Sequence, residues 1–105
     1  MPEQDLSEAS QGRILVADDE PHIRRILATL LETSGFQVDQ AQDGLRALEL
    51  LAADTPYRVA LLDIMMPEYS GLEVLERARQ LHHRRELPVV ILTAKGHDAD
   101  RQAAF

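Results

Sequence analysis

The sequence has 105 residues, a formal net charge of −7 and no cysteine. That length admits one small domain, burying about two-thirds of the surface the unfolded chain exposes. The negative charge disfavours direct binding to nucleic acid or an anionic membrane, and the missing thiols exclude a disulfide framework, a thiolate metal site and a cysteine nucleophile.

Residues 1–12 are polar and aperiodic, with acids at Glu3, Asp5 and Glu8 where a signal peptide would be basic and apolar, so a flexible arm is expected. No apolar run approaches the roughly 20 residues of a membrane span, and the expected location is cytoplasmic. Structure is expected from about Arg13: the short run Ile14 to Ala17 reads as a buried strand that stops at Asp18, Asp19 and Glu20. Pro21 suits the first position of a helix, in which Ile23, Ile26, Leu27, Leu30 and Leu31 form one apolar stripe, and Gly35 suits a left-handed stop. Phe36, Val38 and Ala41 interleave with Gln37, Asp39 and Gln40, the pattern of a half-exposed edge strand.

Asp43 is placed to cap a second helix in which Leu45, Leu48 and Ala52 share a face, ended by Asp54, Thr55 and Pro56. From Arg58 an apolar run leads to Asp63, followed by Ile64, Met65, Met66 and Pro67. Ser70 and Glu73 have capping-box spacing, and the third helix is expected to run to about His83, burying Leu72, Leu75, Ala78 and Leu81. His22 and the cluster His82, His83, Arg84 and Arg85 read as solvated surface, the cluster helped by its place at a helix carboxyl end. Pro88 introduces a fourth strand, Val89 to Leu92, which ends at Thr93; Lys95 to His97 is a loop, and Asp98 opens a further helix.

Strict alternation of strand and helix implies an α/β, doubly wound parallel sheet, and the strand order 2-1-3-4 makes the acid-bearing strands neighbours. Ligands bind at the carboxyl edge of such sheets. Asp18, Asp19, Asp63 and Thr93 all fall there. Clustered carboxylates repel unless one is protonated or a cation offsets them, and a hard divalent ion such as magnesium suits oxygen donors. Asp18 and Asp19 could equally cap the first helix. Capping does not cover Asp63, because Pro67 and a loop intervene before the next helix.

Asp18 and Asp19 after the first strand, Leu62 Asp63 Ile64 Met65 Met66 Pro67 with Gly71 four residues beyond the proline, and Leu92 Thr93 Ala94 after the fourth strand make residues 13–105 resemble the receiver domain of bacterial response regulators, the CheY-like fold. The resemblance implies a phosphorylation-controlled signalling domain rather than an enzyme. In it Asp63 is the phosphoacceptor, and Mg2+ is held by Asp18, Asp19, Asp63 and the Met65 backbone carbonyl. Thr93 contacts the phosphoryl group and acts as the switch, while Met65 and Lys95 tune its lifetime. The implied partners are a sensor histidine kinase and an output domain or downstream protein.

Members of that family continue into a fifth strand and helix bearing a lysine and a switch aromatic, whereas this sequence ends at Phe105 and Lys95 is not that lysine. The expectation is therefore a fragment of a longer regulator, whose apolar edge from Pro88 to Thr93 invites a domain-swapped or edge-paired homodimer. A constitutive interaction module on the same fold is the alternative. A phosphatase or dinucleotide enzyme is disfavoured, because no glycine-rich phosphate cradle follows the first strand.

Overall fold

The four expected strands form as four parallel strands in the order β2-β1-β3-β4, in a computed structural model that describes residues 10–92. Thr93, Lys95, the helix expected from Asp98 and most of the polar arm lie outside the described residues. In chain order the elements are β1 (Arg13–Ala17), α1 (Pro21–Thr33), β2 (Gln37–Ala41), α2 (Gly44–Ala52), β3 (Tyr57–Asp63), α3 (Gly71–Ala78), a 3-10 turn (His82–Arg84) and β4 (Val89–Leu92). This is the expected α/β sheet. β1 and β3, the most deeply buried strands, take its centre, while β2 with its polar alternation takes one edge. Among the described residues β4 forms the other edge, where Val90 is 47% exposed.

Local signals act where the sequence places them. Pro21 stands at the start of α1, Gly35 ends its turn at φ 101°, Asp43 accepts from the Arg46 amide, and Ser70 with Glu73 forms a complete capping box. The main core lies between one face of the sheet and α2 with α3: Leu15, Ala17, Ala60 and Leu62 meet Ala47, Leu51, Val74 and Ala78. Ile14 and Val16 alternate to the opposite face, where α1 contributes the buried Ala28.

The helix faces differ from the expected ones. In α1, Ala28 is buried and Leu27 and Leu31 are half-buried, but Ile26 and Leu30 are 55% and 60% exposed. The apolar stripe is wider than the strip that the sheet covers. In α2 the buried line is Gly44, Ala47 and Leu51, leaving Leu45 and Ala52 outside; in α3 it is Gly71, Val74 and Ala78, leaving Leu72 outside. A glycine at the first position of each helix turns towards the interior, and side chains three and seven residues on follow it.

α3 stops at Ala78, short of the expected His83, and the basic cluster is not simply surface. Arg84 is 4% exposed, donating from Nε to the Leu51 carbonyl at 2.9 Å and from Nη2 to the Ala53 carbonyl at 2.8 Å. These are carbonyls that the end of α2 leaves without helical donors. His83 Nε2 lies 3.1 Å and 2.9 Å from the same two oxygens, so that nitrogen carries the proton. The Arg84 guanidinium also lies 5.1 Å from the Tyr57 ring centroid, and burial lowers its pKa. Tyr57 donates in turn to Asp39 at 2.6 Å, and Asp39 accepts from Arg13 at 2.6 Å, bracing β1, β2 and β3 together.

A candidate acidic site at the carboxyl edge of the sheet

Register builds the site. Ala17 of β1 pairs with Leu62 of β3, so the next residue on each strand, Asp18 and Asp63, stand side by side where the two strands end. Asp18 is 3% exposed and Asp63 1% exposed, while Asp19 faces solvent. One carboxylate oxygen from each of these three acids lies within 4.8 Å of the others.

Capping does not account for Asp18 and Asp19. The residue that caps α1 is Glu20, without a side-chain cap bond, and Asp18 Oδ1 accepts from the Glu20 amide at 2.9 Å in a tight turn that precedes the helix. That turn aims the acid across the strand ends instead of along α1. Its backbone is held as well: the Asp18 amide donates to Ala41 at 3.1 Å, and Arg24 Nη1 donates to the Asp18 carbonyl at 2.8 Å. Nothing in the local sequence pattern marks Arg24 for that task.

Asp63 is positioned from both sides. The following amide, Ile64, donates to Leu92 of β4 at 3.1 Å, and the Ile64 carbonyl accepts from the Gly71 amide at 3.0 Å. Gly71 admits α3 to this spot, because a Cβ there would overlap the Asp63 carbonyl oxygen and lie 3.1 Å from Ile64 Cα. Met65 follows with its side chain 58% exposed. The turn then passes through Glu68 at φ 73°, a left-handed conformation that side-chain-bearing residues seldom adopt. The structure thus brings together Asp18, Asp19 and Asp63, while Thr93 lies outside the described residues.

The donor set is oxygen only, with no nitrogen or sulfur in the cluster. Two buried carboxylates and one exposed one fit a small hard cation that retains waters on its open side, and Mg2+ is the ion of that description. Bringing such charges together without a cation is electrostatically costly.

Comparison with known proteins agrees with the geometry. The family model for the response regulator receiver domain matches residues 14–105. The chain is 42% identical over 90 residues to the transcriptional regulatory protein CpxR homolog of Haemophilus influenzae, covering 86% of this chain and 37% of that protein. It is 37% identical over 100 residues to the transcriptional regulatory protein ResD of Bacillus subtilis, covering 95% of this chain and 40% of that protein. It therefore spans about two-fifths of the length of these curated relatives. Among solved structures, the response regulator TrrA of Thermotoga maritima in complex with Mg2+ and BeF is 36% identical with a TM-score of 0.72, over 90% of this chain and 79% of that one. Vibrio cholerae CheY4 is 27% identical with a TM-score of 0.76, over 89% and 77%. Strand order, the acids at the strand ends and the extent of the match converge: this chain belongs to the response regulator receiver domain family.

Proposed function

We propose that residues 13–105 form the receiver, with residues 1–12 as a polar arm, and that Asp63 accepts a phosphoryl group from the phosphohistidine of a sensor histidine kinase. The observation that carries this reading is the convergence of Asp18, Asp19 and Asp63 within 4.8 Å, with Asp63 buried at the end of a central strand. An Asp63 carboxylate oxygen attacks phosphorus. The P–N bond breaks, the electron pair leaves with the imidazole, which takes up a proton, and the product is an aspartyl phosphate. Asp18, Asp19, Asp63 and the Met65 backbone carbonyl are the residues that would hold Mg2+. When bound, the ion offsets charge on the phosphoryl group.

Asp18, fixed by the Glu20 amide and Arg24, keeps its carboxylate beside the acceptor. The Thr93 hydroxyl, from the segment following β4, donates to the installed phosphoryl group and moves with it, so that an added charge biases a surface read by an output domain or downstream protein. The domain is spent stoichiometrically as acceptor, and its role is signalling rather than turnover of a substrate. Among the described residues no helix is long and apolar enough to cross a membrane.

Acetyl phosphate with Mg2+, read by intact mass and peptide mapping, tests the proposal. One phosphoryl group on Asp63 in the wild-type protein, and none in Asp63→Asn, is the expected result. A wild-type protein that gains no mass, and whose spectrum is unmoved by beryllofluoride with Mg2+, would instead be a constitutive interaction module.

A further inference from the structure

We infer that Gly44, on a helix that supplies no ligand, is a positioning residue for the metal site: it clamps the loop between β3 and α3 and thereby holds the Met65 carbonyl in place. The inference rests on the proposed function, which assigns that carbonyl to Mg2+.

The loop is pinned at two places. At its start, Ile64 is held by Leu92 of β4 and by the Gly71 amide. Further on, the Pro67 carbonyl accepts from the Gly44 amide at 3.1 Å and from the Tyr69 amide at 2.8 Å. Met65 and Met66 lie between these pins. The Gly44 amide is free for this task because the first amides of a helix have no partner within it, and Asp43 serves the Arg46 amide instead. The approach is close as well: a Cβ on Gly44 would overlap the Tyr69 carbonyl oxygen and lie 2.6 Å from Tyr69 Cβ. Both clashing groups belong to the loop's backbone or its first side-chain carbon, so relief requires the loop to move rather than a side chain to rotate.

The post to which the loop is tied is rigid. Ala47 and Leu51 of α2 are fully buried in the main core, so α2 does not yield readily. The loop is less free than its exposure suggests, since it already carries Glu68 in a left-handed conformation and has the Tyr69 ring 4.6 Å beneath the Arg77 guanidinium. A methyl group at residue 44 therefore displaces the loop and, with it, the Met65 carbonyl that the proposed function assigns to Mg2+.

The experiment measures Mg2+ affinity by calorimetry, and fold stability by urea denaturation, in wild type, Gly44→Ala and Leu50→Ala. Leu50 is half-buried on the same helix but away from the loop contact, so its truncation reports what destabilising α2 does by itself. Gly44→Ala is expected to bind Mg2+ roughly 10- to 100-fold more weakly, the range seen when groups that orient a ligand are altered, while Leu50→Ala keeps wild-type affinity. Equal affinities in Gly44→Ala and wild type, or equal losses in both variants, overturn the inference and leave the proposed function standing. A wild-type protein that does not bind Mg2+ overturns both. Should Gly44→Ala fail to fold, Tyr69→Gly loosens the same contact from the loop side: weaker Mg2+ binding supports the clamp, and unchanged binding refutes it.

Discussion

Replacing Asp63 with asparagine removes one negative charge from a cluster whose oxygens lie within 4.8 Å of one another. At that separation, with an effective dielectric constant of about 20, two unit charges repel by roughly 3 kcal/mol. The Asp18–Asp63 pair is buried and keeps most of this energy, whereas the contribution of exposed Asp19 is largely screened. Asparagine is nearly isosteric, so packing is preserved. Asp63→Asn is expected to raise stability by about 1 to 3 kcal/mol in EDTA, an effect that added salt changes little because the pair is buried. Mg2+ narrows or closes this gap. A ligand at one hundred times its dissociation constant stabilises the state that binds it by about 2.7 kcal/mol. Wild type gains this, while the variant, which has lost a charged ligand, gains far less. Urea denaturation followed by circular dichroism, with EDTA and with Mg2+, measures both arms. A variant less stable than wild type in EDTA, or equal Mg2+ responses in the two proteins, would refute the electrostatic reasoning.

The remaining predictions concern the opposite end of the sheet. Arg84→Met removes two hydrogen bonds to the end of α2 and the stacking on Tyr57; with His83 still facing the same carbonyls, the expected loss is about 2 kcal/mol by urea denaturation. The Tyr57 hydroxyl has its pKa raised, first by burial and then by its bond to Asp39. An unfolded tyrosine ionises near pH 10 while the folded one stays protonated, so this contribution to stability is intact below pH 10 and is lost as pH rises above it. Tyr57→Phe is expected to flatten that decline, as judged by stability measured across the alkaline range.

Much of the molecule was legible in local pattern. The alternation of elements, the Asp43 cap, the capping box at Ser70, the edge character of β2 and the order β2-β1-β3-β4 follow from residue spacing and from the rules for parallel sheets. So does the meeting of Asp18, Asp19 and Asp63, since strands that run parallel side by side bring their carboxyl ends together. The burial of Arg84 was not legible. Its carbonyl partners lie 33 and 31 residues away, and the same basic run reads equally well as solvated surface.

The faces of the helices mark the same boundary. Period alone says that α2 and α3 are helices, but how far each is rotated about its axis depends on what it must touch. Gly44 and Gly71 were unremarkable as members of a periodic pattern, yet each turns inward because backbone from the β3–α3 loop or from β3 itself occupies the space a Cβ would take. By itself the sequence determined which elements form and which strand ends carry acid, because those follow from propensity and period within a few residues. Only the tertiary structure decided which helix face is buried and what holds the β3–α3 loop in place, because those depend on backbone contacts between segments far apart in the chain.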